Sequence, residues 1–69
     1  MVFPECLIDT RVKQLRGREI RDYLVKWVSY PMEEATWMSL DELRRDFPDE
    51  VRSLVSKYFV AYGFVFLGL

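Results

Sequence analysis

The chain contains no histidine, one cysteine, three glycines and three prolines among its 69 residues. Without histidine it cannot assemble a Ser-His-Asp or Cys-His pair, and one thiol falls far short of a zinc ligand set. Catalysis, a bound metal and a cofactor are therefore not expected. Cys6 has no partner for an intrachain disulfide, which points to a reducing intracellular compartment. Scarce glycine and proline, with 51% apolar and 30% charged residues, give the balance of a folded domain and not of a disordered tail. At this length a chain buries only ~60% of its unfolded surface, which allows one small domain and excludes a large enzyme core.

Two further features are missing. Pro4, Glu5 and Asp9 interrupt the opening apolar stretch, so a signal peptide is not expected. The uncharged run from Tyr58 to Leu69 is well short of the ~20 residues a spanning helix needs, so no membrane association is expected either.

Charge is balanced overall but not along the chain. Ten basic and eleven acidic side chains leave a net charge of -1, which allows a nucleic acid at most a weak contact. The first thirty residues nevertheless carry Arg11, Lys13, Arg16, Arg18, Arg21 and Lys26 against four acids. From Glu33 to Glu50 the acids dominate, with only Arg44 and Arg45 opposing them, and an acidic surface suits a basic ligand.

The patterning predicts three strands followed by helix. Phe3 to Lys13 is rich in apolar and β-branched residues, and a turn around Leu15-Arg16-Gly17-Arg18 makes a hairpin with a second strand from Ile20 to Val28. In that strand Tyr23, Val25 and Trp27 share one face while Asp22, Leu24 and Lys26 share the other. Pro31 breaks the run, and Ala35 to Met38 fits a third short strand. Ser39-Leu40-Asp41-Glu42 matches a capping box and should open a short helical turn through Arg45. Asp46 is the expected cap of the main helix, with Pro48 in its first turn. Val51, Leu54, Val55, Tyr58 and Phe59 form one apolar stripe, and Gly63 is the first plausible C-cap. The expected fold is α+β: a three-stranded curled antiparallel sheet packed by a C-terminal helix. The expected division is a domain over residues 1–62 and an apolar tail over 63–69.

The stretches Leu7-Ile8-Asp9-Thr10-Arg11, Tyr23-Leu24-Val25-Lys26-Trp27, Tyr30-Pro31 and Glu33-Glu34-Ala35-Thr36-Trp37 resemble, in order and spacing, the chromodomain. With Phe47-Pro48 added, the pattern is most similar to the integrase C-terminal chromodomain of plant gypsy-type LTR retrotransposons, the chromoviruses. The resemblance covers roughly residues 2 to 58 and implies an SH3-like partial barrel. It also implies a non-catalytic nuclear module that takes a histone tail as an added β-strand and encloses a methylated lysine in an aromatic cage. Two cage walls fall on Trp27 and Tyr30, with Glu34 as the acidic neighbour. The first wall falls on Val2, with Phe3 one residue away, so the implied cage is incomplete. Phe3 reaches that place only if the first strand slips or bulges. The family's turn glycine is Ser29 here, and its frequent Glu after the second Trp is Met38.

Trp37, Tyr23, Val25, Leu43, Val51, Leu54 and Val55 are expected in the core. Two other readings stand beside the reader: a protein-interaction or structural domain of an integrase remnant that has lost methyl-lysine binding, and weak nucleic-acid contact through Arg16 and Arg18. The apolar C-terminal segment is a candidate homodimer contact.

Overall fold

The computed structural model describes residues 2–63. Three antiparallel strands, β1 (Pro4–Leu15), β2 (Arg18–Trp27) and β3 (Thr36–Ser39), lie in the order β1-β2-β3. Helices α1 (Leu40–Asp46) and α2 (Val51–Tyr58) follow, and a wider helical turn from Phe59 to Gly63 continues α2. The expected α+β class and element order are therefore present. The tail expected over 63–69 lies, beyond Gly63, outside the described residues.

The hairpin closes through Arg16 and Gly17, whose φ values of 48° and 80° are both left-handed. A two-residue loop with two such residues matches the twist of the flanking strands, which is why β1 and β2 run on to Leu15 and Arg18 instead of stopping two residues short. Register is interrupted twice, between Pro4 and Cys6 and between Leu7 and Asp9. Each bulge sets two residues of β1 against one of β2 and bends the strand. Pro4 and Leu7, three apart, are consequently both buried.

The core is small: Leu7, Tyr23, Val25, Leu43 and Leu54, with Trp27, Met38, Leu40, Phe47, Val51, Val55 and Tyr58 packed around it. Tyr58 meets Tyr23 edge to face at 5.8 Å, tying α2 to the central strand. Burial, with the charge of Asp9 behind it, pushes the Tyr58 phenol above its usual range.

The Ser39 capping box is formed as expected. The Glu42 amide donates to Ser39 Oγ at 3.1 Å and the Ser39 amide donates to Glu42 Oε1 at 2.9 Å. Asp46 does not cap the second helix. It is the last residue of α1, and its carboxylate accepts from Arg45 Nε at 3.0 Å, which holds it below the usual carboxylate range. The lead-in to α2 uses backbone instead: the Phe47 carbonyl accepts from the amides of Glu50 and Val51 at 3.1 and 3.0 Å. Pro48 lacks the amide that such a turn would leave unpaired.

Trp37 is not a core residue. Tyr23 pairs with Met38 on the core face, so the neighbouring pair Leu24 and Trp37 projects from the opposite face of the sheet. The alternation of β2 was legible, whereas the register of the four-residue β3 was not.

Leu43 of α1 is fully buried in the core at 0% exposure. Leu43→Ala is expected to lower stability by ~2–5 kcal/mol, read as a fall in the urea midpoint with an unchanged m-value.

Candidate functional site

The C-terminal end of β2 collects aromatic side chains from four places in the chain. Trp27 ends the strand opposite Pro4 and is half-buried. Its indole Nε1–H donates to Thr36 Oγ1 at 2.9 Å, so the first residue of β3 sets the ring's orientation. Phe47, from the α1–α2 connection, supports the indole at 5.8 Å and 55°. Phe3 meets Phe47 edge to face at 6.0 Å and 82°, and its carbonyl accepts from the Val28 amide at 2.8 Å.

Tyr30 reaches the same rim through a tight turn in which its amide donates to the Trp27 carbonyl at 3.2 Å. The third residue of that turn, Ser29, has φ 70°. This is the glycine-favouring position of the implied motif, occupied here by a residue with a Cβ. Tyr30 stands 42% exposed. Pro31 then leads into a single 3-10 turn, Met32–Glu34, which presents Glu34 to solvent close behind Tyr30 in the chain. Val2 is 45% exposed and Phe3 44%.

Of the residues singled out in the sequence, the structure sets Trp27 and Tyr30 at the two ends of one turn and joins Phe3 to Trp27 through Phe47. It shows no contact that ties Val2 into this group. The first bulge falls at Glu5, immediately after Phe3 and Pro4, and Glu5 is fixed there by Lys26 Nζ at 2.6 Å. Phe47 and Thr36 were visible in the sequence only as parts of a motif, because the packing that makes them important joins residues nine or more apart in order.

The opposite face of the sheet holds a second arrangement that sequence reasoning missed. Asp22 is 3% exposed, yet its carboxylate accepts from Arg11 Nε at 3.2 Å and lies 3.3 Å from Lys13 Nζ. The Arg11 guanidinium also stacks over Trp37 at 4.1 Å from the ring centroid. Two cations on one buried carboxylate satisfy it while cross-linking β1 to β2.

The family model described as Chromo (CHRromatin Organisation MOdifier) domain matches residues 3–57. No curated protein and no solved structure matches the chain.

Two substitutions test the local geometry. Ser29→Gly relieves a left-handed residue and should raise stability by about 1 kcal/mol in urea unfolding. Thr36→Val removes the acceptor of a half-buried indole; a loss of ~1 kcal/mol together with a shifted Trp27 indole N–H resonance is expected.

Proposed function

We infer that this chain, which belongs to the Chromo domain family, reads a histone tail carrying a methylated lysine at the rim formed by Trp27 and Tyr30. Members of the family are non-catalytic chromatin-binding modules, typically nuclear, and they bind histone tails in general. What is proposed here is the methyl-lysine chemistry and the residues that supply it.

The observation that carries the reading is the orientation of Trp27. The indole is held by Thr36 on its polar edge and by Phe47 beside it, while Tyr30, one tight turn away, keeps its ring exposed. A methylated ammonium retains its charge but loses hydrogen-bond donors, so ring faces replace water better than carboxylates do. Glu34 adds a nearby negative charge. Among the described residues β1 pairs only with β2, and its other edge, which has no strand partner there, is where this reading adds the peptide strand. Residue by residue, Phe3 is the aromatic nearest the place of the first wall, and the bulge at Glu5 supports its displacement toward the rim. The resemblance of the sequence pattern to chromovirus integrase chromodomains supports a further part of the reading, a module at the tail of an integrase that directs integration to marked chromatin.

One observation favours a second reading. Val2 occupies the first-wall position, and the Phe3 ring is already engaged with Phe47. A module with only two walls would serve as a protein-interaction domain without methyl selectivity.

Calorimetric titration with trimethylated and unmethylated histone-tail peptides separates the two. The reader account expects preference for the methylated peptide, its loss in Trp27→Ala, and about tenfold tighter binding in Val2→Tyr, since a third wall is worth ~1.4 kcal/mol. Equal affinities for the two peptides, with no gain in Val2→Tyr, would establish the second reading.

A further inference from the structure

At the other end of β2 the molecule has a different character. β3 pairs only with Asp22 to Val25, so residues 12–21 extend beyond it as a two-stranded ribbon closed by the Arg16-Gly17 turn, with Arg11 at its base opposite Asp22. This ribbon carries Arg11, Lys13, Arg16, Arg18 and Arg21 against the single acid Glu19, in a chain whose net charge is -1. Within it, Ile20 is half-buried and the other residues are exposed. Glu19 accepts from Gln14 at 3.3 Å, and the buried Asp22 at the base offsets part of the charge of Arg11 and Lys13. Arg16 and Arg18 at the tip have no acid partner among the described residues. The hairpin thus places five of the ten basic residues of a nearly neutral chain on one protruding arm.

We propose that this ribbon binds the phosphate backbone of duplex DNA, at a surface separate from the aromatic rim. Trp27 and Arg18 stand at opposite ends of a ten-residue strand, roughly 30 Å apart at ~3.3 Å per residue. The partner must be strongly anionic, because like-signed side chains concentrated on an exposed arm gain most by displacing counterions from a dense row of charges. A two-stranded ribbon fits the wide major groove of B-form DNA, whereas the deep, narrow major groove of duplex RNA does not admit it. Single strands are held largely by bases stacking on aromatic rings, and residues 11–21 contain none. Sequence-independent contact is the expected mode, since salt-dependent contacts from exposed arginines to phosphate oxygens carry no sequence information.

Fluorescence anisotropy of the full chain with a labelled mixed-sequence duplex tests this. Affinity should fall with salt at a log-log slope of about -3 to -4, as for about four phosphate contacts. Arg16→Gly combined with Arg18→Gln should weaken binding at least tenfold and flatten the slope by about two. Glycine suits the left-handed position of Arg16, so this variant keeps its fold, and a thermal melt verifies that. Trp27→Ala should leave DNA affinity unchanged, which distinguishes this arm from the rim whatever the rim binds. Absence of salt-dependent binding, binding unaffected by the double variant, or tighter binding to single strands or duplex RNA overturns the proposal.

Discussion

The central strand β2 must serve two faces and two ends at once, and its pairing with β1 is the constraint on which the rest depends. On the core face it delivers Tyr23 and Val25 to Leu43 and Leu54. On the opposite face it delivers Asp22 and Leu24, where Arg11 and Lys13 meet the carboxylate and Trp37 of β3 stands beside Leu24. With so few fully buried side chains, stability depends on register. A one-residue slip would exchange Tyr23 for Asp22 in the core. The two bulges and the Asp22 ion pairs make that slip unfavourable, since moving the carboxylate away from both cations leaves a buried charge unpaired.

The same register shapes both ends. At the rim, the bulge at Glu5, held by Lys26, bends the start of β1 so that Phe3 meets Phe47 and, through it, Trp27. At the hairpin, the left-handed pair Arg16-Gly17 lets both strands outrun β3, and the unaccompanied length becomes a charged arm. One strand thus joins an aromatic end, proposed to take a methylated cation, and a cationic end, proposed to take an anion. Both chemistries belong to the surface of chromatin, where basic tails emerge from wrapped DNA.

Much of this was legible in the sequence. Hairpin, strand alternation in β2, capping box and helix stripe each follow from local rules that neighbouring residues satisfy without tertiary help. Trp37 shows where such rules stop. Its apolar bulk suggested the core, yet the face it takes is decided by pairing with Leu24, and a four-residue strand carries too little pattern to reveal its register. Asp22 failed for the complementary reason: a charged residue on the alternate face of an amphipathic strand suggests solvent, and only the convergence of Arg11 and Lys13 from β1 explains its burial. Asp46 has the composition of a cap, but the preceding helix runs one residue further than its signals indicated and claims it. At the rim, Trp27 and Tyr30 came from the motif resemblance, whereas the contribution of Phe47 depends on where the α1–α2 connection returns to the sheet.

The most direct test of the reader account is a residue-resolved NMR titration with a trimethyl-lysine histone-tail peptide, compared with the unmethylated peptide. The account predicts that the largest methyl-dependent shifts fall on the Trp27 indole N–H, on Tyr30 and on Glu34, with methyl-independent shifts along the outer edge of β1. Identical shifts for the two peptides, or methyl-dependent shifts confined to residues away from that rim, would contradict it.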